Sequence, residues 1–203
     1  MAISAIITAD IVNSTKLSPA EQKSLNTLLI AIIGGHKYEF YRGDSYQVYV
    51  KDPALALLVV LQTRAAARKV SMDCDIRSSI GIGEVNPHMR KLSSATGEAF
   101  VLSGRAFDRI SKGDERLVID TTAVSAKPAV RIISLFVDYL FGKMTSKQAE
   151  VITNVLAGRT QAGAATKLKK SQSTINRHLH AAGWNEISKL LSEYELAVRE
   201  QPE

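Results

Sequence analysis

The chain has 203 residues, 45% hydrophobic and 23% charged, a soluble globular composition long enough for two modest domains. No apolar run approaches the roughly 20 residues that span a bilayer. The start, Met1-Ala2-Ile3-Ser4, lacks the basic and cleavable features of a secretory leader, and the single cysteine, Cys74, excludes an intrachain disulfide or a thiolate metal cluster. A cytoplasmic protein with no membrane partner is expected, with Cys74 an inert thiol.

In chain order, Ile3 to Ala9 is short, apolar and β-branched, the pattern of a buried strand. Ser18-Pro19-Ala20-Glu21 matches a capping box with proline at the first helical position. Leu25, Leu28, Leu29, Ile32 and Ile33 then keep helical spacing up to Gly34-Gly35. Lys37 to Arg42 and Ser45 to Lys51 alternate as strands around Gly43-Asp44, a hairpin signal. A helix follows from Pro53 to about Lys69, then a strand from Asp75 to Gly81 and a polar loop from Glu84 to Thr96. Gly97 to Ile110 reads as a helix, and Arg116 to Asp120 and Ala129 to Ile133 as closing strands. This order predicts an α+β fold: a ferredoxin-like, palm-type sheet over residues 1–133, mostly antiparallel with helices on one face. Residues 134–142 read as a connecting helix, and 143–203 as an all-α helix-turn-helix domain.

The net charge of +6 matters most in that last segment. Lys143, Lys147, Arg159, Lys167, Lys169, Lys170, Arg177 and Lys189 stand there against only Glu150 and Glu186. Counterion release rewards such a concentration of positive charge on a nucleic acid, although a solvated basic surface has the same composition. Thr145 or Ser146 can cap a first helix with Ala149, Ile152 and Leu156 inward, ended by Gly158. Thr160 caps a second with Ala164, Ala165 and Leu168 inward. After Lys169-Lys170, Ser171 caps a third with Ile175 and Leu179 on one face. Two short helices on a tight turn are the geometry that lays a helix in the major groove. The outward positions of the third helix are Gln172, Ser173, Thr174, Asn176, Arg177 and His180. Asn and Gln match adenine edges, Arg matches guanine, and Ser and Thr suit phosphates or bases. A protein-binding helical bundle is the alternative. Glu186 to Val198 continues as an amphipathic helix, with Trp184 anchoring the joint.

This run resembles the helix-turn-helix of sigma-factor region 4 and of LuxR-type regulators. The matching residues are Thr145, Gln148-Ala149-Glu150-Val151-Ile152, Thr160-Gln161, Ala165, Leu168 and Ser171-Gln172-Ser173-Thr174-Ile175 followed by Arg177 and Leu179. Two positions depart. Gly163-Ala164 stands where Glu-Ile is usual, which thins the packing of the second helix, and Lys169 holds a turn position normally given to glycine, which must tolerate positive φ.

Asp10, after the first strand, and Asp44, at the hairpin tip, fall where a palm fold brings two elements together. Two carboxylates there could hold a divalent metal through oxygen and present it to a triphosphate. They suit a Gly-Asp turn and a helix cap equally well. The segments Ala9-Asp10-Ile11-Val12-Asn13-Ser14-Thr15, Gly43-Asp44-Ser45, Ser79-Ile80-Gly81-Ile82-Gly83-Glu84-Val85 and Gly97 to Arg105 resemble, in order, the motifs of class III nucleotidyl cyclases. That resemblance implies Asp10 and Asp44 as ligands of Mg2+ or Mn2+ carried with a nucleotide, and Arg105 as a nucleotide contact. It also locates what is missing. Val101 stands where the transition-state asparagine would be, Phe40 where the base-selecting lysine would be, and Ser94 near the place of the adenine-reading aspartate. Losing such donors costs orders of magnitude in rate, so ordinary cyclase activity is not expected. Arg77, Arg90, Lys91 and Arg109 are further cations that could face a phosphate, and His36 and His88 are assigned no role.

The two halves together resemble the bacterial SatD family. The expectation is therefore a DNA-binding transcriptional regulator whose cyclase-like half senses a nucleotide or metal. Both resemblances imply a homodimer. The rivals are a divergent metal-dependent cyclase or nucleotidyltransferase, and a protein-interaction adaptor.

Overall fold

A computed structural model describes residues 2–41, 43–86 and 91–200. The strands are β1 (Ala2–Val12), β2 (Lys37–Tyr41), β3 (Ser45–Val50), β4 (Asp75–Val85) and β5 (Leu117–Thr121). The helices are α1 (Pro19–Ile33), α2 (Ala56–Val70), α3 (Glu98–Ile110), α4 (Lys127–Gly142), α5 (Ser146–Leu156), α6 (Gln161–Leu168), α7 (Gln172–Ala181) and α8 (Trp184–Arg199). His88 and Arg90 lie outside the described residues.

The five strands form one sheet in the order β2-β3-β1-β4-β5. The first four pair antiparallel, which is the split βαβ arrangement expected of a ferredoxin-like unit, and β5 joins β4 in parallel. A parallel neighbour needs a crossover, and α3 supplies it. The expectation of helices on one face is corrected here. Alternate residues of β1, Ala5, Ile7, Ala9 and Ile11, face α1 and α2, whereas Ile6 packs with Val85 and Ala99 on the other side, under α3. Gly81 permits that close approach: a Cβ there would sit 2.2 Å from the Ala99 carbonyl oxygen and 2.4 Å from the Ser103 nitrogen. The glycine of the Ile80-Gly81-Ile82 motif thus has a packing reason.

Local signals are realised where their chemistry is local. The Ser18 hydroxyl accepts from the Glu21 amide while the Glu21 carboxylate accepts from the Ser18 amide, a complete capping box on α1. Thr145 and Gln148 repeat it on α5. Burial pushes the Cys74 thiol up to about 12, so it is not a thiolate at neutral pH.

The expected strand over Ala129 to Ile133 is instead the first half of α4, so the boundary placed at residue 133 falls inside one helix. The β-branched run Val130, Ile132, Ile133 suggested a strand. Over a longer window Val130, Ile133, Val137 and Phe141 repeat with helical spacing and are all buried. An ionic node pins this helix to the sheet. Arg64, fully buried on α2, donates through Nε and Nη2 to both oxygens of Asp75 and through Nη1 to Asp138 on α4, at 2.6 to 3.0 Å. The second oxygen of Asp138 accepts from the Arg116 and Leu117 amides at the entry of β5.

The last four helices share the sheet's core. Residues from Ala5 on β1 to Val198 on α8 belong to one buried apolar cluster, and α5 lies along α2. Gln62 on α2 donates to the Leu156 carbonyl at the end of α5, and Arg68 donates to the Phe141 and Gly142 carbonyls at the end of α4. Helix ends leave carbonyls without intrahelical partners, and here α2 satisfies several of them. Tyr194 on α8 is buried and donates its hydroxyl to the Pro53 carbonyl. Among the described residues no helix is long and apolar enough to cross a membrane.

Candidate nucleic-acid interface

Helices α5, α6 and α7 form a compact trio whose small core holds Ala149, Ile152, Leu156, Ala164, Ala165, Ile175 and Leu179. Thr160 caps α6 by accepting from the Gly163 amide, and Ser171 caps α7 by accepting from the Thr174 amide. Between them run only Lys169, Lys170 and Ser171. Lys169 takes the left-handed conformation, φ 52 and ψ 44, as its place in the turn requires. It does so without glycine, at a cost of about 1 kcal/mol. Its side chain is exposed.

With Ile175 and Leu179 turned inward, α7 presents Gln172, Ser173, Asn176, Arg177 and His180 as exposed side chains, with Thr174 half-buried. The side chains of Gln172, Asn176 and Arg177 form no hydrogen bond or ion pair with a described residue and are exposed. Ser173 and Thr174 are engaged by the Ser171 hydroxyl at 2.9 Å, which preorganises the first turn. Lys170 has a partner within the trio. Its ammonium sits 3.0 Å from Glu150 on α5, so it clamps the turn to the first helix of the trio. Burial lowers the His178 pKa, and Lys170, Arg177 and Lys147 lower it further. The cations around α7 thus build a positive potential that the imidazole feels.

At the other proposed site, Asp10 lies within β1, paired in register with Ser45 on β3 and Arg77 on β4. Asp44 precedes β3 after Gly43, whose φ of 85 makes the turn. The structure therefore brings the two acids to one end of the β1–β3 ladder, where the Ile11 amide donates to the Asp44 carbonyl. Each carboxylate already has protein partners. Asp44 accepts from the Ser14 hydroxyl at 3.0 Å and from Ser45 at 3.3 Å. Asp10 accepts from Arg77 Nε at 3.1 Å, and the same guanidinium donates to the Ile110 and Ser111 carbonyls that end α3. Burial raises the Asp10 pKa, against the lowering by Arg77, and Asp44 adds to the rise. Mg2+ ordinarily takes one or two carboxylates from a protein and completes its oxygen shell with waters and substrate phosphates. Arg77 pairs with one oxygen of Asp10, so a cation bound by the two carboxylates would compete with the guanidinium there; no group of three metal-binding side chains occurs among the described residues.

Arg105 stands on the outward side of α3, opposite Ala99, Ser103, Ala106 and Ile110, and does not join Asp10 and Asp44. Val101 is exposed on the same helix, and Phe40 is packed edge-on against Tyr38 on β2. Of the other cations, Arg77 is bound to Asp10, and Arg109 lies 3.9 Å from Asp120. Arg64 and Asp138 went unnoticed in the sequence. A lone Arg in the apolar run of α2 was their one signal.

No family profile matches the chain, and no curated protein matches it. Among solved structures, a bacterial light-regulated adenylyl cyclase is similar at 14% identity and a TM-score of 0.37, over 58% of this chain and 42% of that one. The chain thus spans about two fifths of the length of that cyclase.

Proposed function

We propose that this protein binds double-stranded DNA through α7, with α6 and the Lys169 turn against the backbone, and acts as a transcriptional regulator. The observation that carries the reading is the face of α7, where Gln172, Asn176 and Arg177 are exposed and unengaged while Ile175 and Leu179 lock the helix from behind. Planar, bidentate side chains free of internal partners suit base edges in the major groove. Lys169 and Arg177 supply charge for phosphates, and Ser173 and Thr174 are held in the first turn, where a helix meets the backbone. Lys170 serves by positioning, through Glu150. The reading rests on DNA as the ligand and takes no step through a metal at Asp10 and Asp44, where Arg77 pairs with Asp10.

Fluorescence anisotropy with genomic fragments at low salt tests it. Wild-type chain binds, and the affinity falls steeply with salt as counterions are displaced. Arg177→Ala weakens binding by roughly 1–3 kcal/mol, about 5- to 150-fold, without lowering Tm. Absence of binding by the wild type at low salt, or an undiminished affinity in the variant, overturns the assignment.

A further inference from the structure

Helix α4 is apolar on two sides. Val130, Ile133, Val137 and Phe141 enter the core, yet Ile132, Leu135, Phe136 and Tyr139 stand 55, 54, 55 and 59% exposed on the opposite side. Their spacing of three, one and three residues makes one continuous stripe, with Ile132, Leu135 and Tyr139 in the alternation of a helix–helix seam. A helix apolar all round is ordinarily a buried helix. The four side chains expose roughly 400 Å² together, at the level where a patch on a monomer marks an interaction site.

Three features point to a second copy of the chain as the occupant. First, the stripe is centred near Leu135 and Phe136, the midpoint of α4, so a two-fold axis there lays α4 antiparallel on its mate and sets Ile132 against the partner's Tyr139. Second, grooves of about 500 and 230 Å³ flank the stripe, one between β5 and α4 beside Leu135, the other beside Tyr139 and Gly183. These grooves can receive the ridge of a mate and extend the contact toward the ~800 Å² per partner of a standard interface. Third, the rim is complementary to itself. Lys127 is already paired with Asp120 at 3.1 Å, and Lys143 lies over its own Tyr139 ring. Glu115 is a further charge in the groove beside Arg131; the cation and anion at two-fold-related places are Arg131, about 7 Å to one side of the midpoint, and Glu186, beside Tyr139 and Lys143 on the other side. Neither has an ion-pair partner among the described residues. The two-fold carries Arg131 of each copy toward the partner's Glu186.

The geometry points to an isologous homodimer built on the outer face of α4, with Leu135 and Phe136 at its centre and two Arg131–Glu186 pairs across its rim. This interface does not depend on DNA, so it is tested on the protein alone. Analytical ultracentrifugation of the full chain at micromolar concentration gives a dimer. Phe136→Glu gives a monomer whose circular-dichroism melt matches the wild type, because the replaced side chain lies outside the core. Arg131→Glu raises the dimer dissociation constant about tenfold through its two symmetry-related pairs, and adding Glu186→Arg restores it. A monomeric wild type overturns the proposal and leaves the stripe to a different partner. A Phe136→Glu chain that stays dimeric, or a charge swap that fails to restore what the single reversal lost, overturns it equally.

Discussion

On α7, the side chains of Gln172, Asn176 and Arg177 are exposed with no partner among the described residues, whereas at the end of β1 the side chains of Asp10, Asp44 and Arg77 each have at least one hydrogen-bond partner. Both places carry residue types that do chemistry, and both were singled out in the sequence. What separates them is hydrogen-bond satisfaction. Polar groups bound internally hold elements together, and breaking them costs stability; polar groups left free at a surface cost nothing to remove and are available to a ligand. The corner of β1 ties three elements with one guanidinium, while α7 is held from behind by two aliphatic side chains and contributes little to stability with its outer face.

Substitutions break or sharpen that contrast. The largest effect is expected at the most fully satisfied polar group. Arg64→Ala leaves Asp75 and Asp138 without their counter-charge in the core and destabilises the protein by roughly 3–5 kcal/mol, read from chemical denaturation. The effect of Arg177→Ala on the proposed DNA contact is next, and it appears in affinity alone. At the corner, Asp10→Asn changes stability by about 1 kcal/mol or less, because the desolvation of the Asp10 charge offsets what its pairing with Arg77 contributes. The same experiment separates an ion pair from a metal site. A cation held a hundredfold above its Kd would add about 2.7 kcal/mol and raise Tm, whereas with Arg77 paired to Asp10 a titration of Mn2+ leaves the wild-type Tm unmoved. A clear rise that Asp10→Asn abolishes would support a metal site at Asp10 and Asp44. The smallest effect falls at the turn: Lys169→Gly relieves the left-handed strain and raises stability by roughly 0.5–1 kcal/mol, while weakening any DNA binding through the lost charge.

Most helices of the chain were legible before the structure. Ser18, Thr160 and Ser171 each cap the helix they were expected to cap, Thr145 is the cap of the two candidates offered for α5, and Lys169 has the positive φ that its place in the turn demanded. The hairpin at Gly43-Asp44 and the antiparallel core of the sheet follow the same pattern. Three expectations fared differently. The strand over Ala129 to Ile133 is helical, α3 crosses to the far face of the sheet, and Asp10 lies inside β1 instead of after it. In each, a short window of residues fits two structures equally well, and packing elsewhere chooses between them. The β-branched residues of α4 accept a helix because Phe141 and Val137 extend the buried period and Asp138 meets Arg64.

The sequence by itself determined what depends on neighbours within a turn or two of the chain: where helices begin and end, which face of α7 is apolar, and that a residue in the αL region follows α6. These signals are strong because the bonds that satisfy a helix end come from three or four residues away. Only the tertiary structure decided partnerships across the molecule. Arg77 answers Asp10 from 67 positions along the chain, Arg64 reaches Asp138 from 74, and Lys170 spends its charge on Glu150. Such contacts depend on where whole elements pack, and no residue type carries that information alone. The unpartnered stripe of α4 belongs with them, since a second apolar face becomes visible only once the first has been buried.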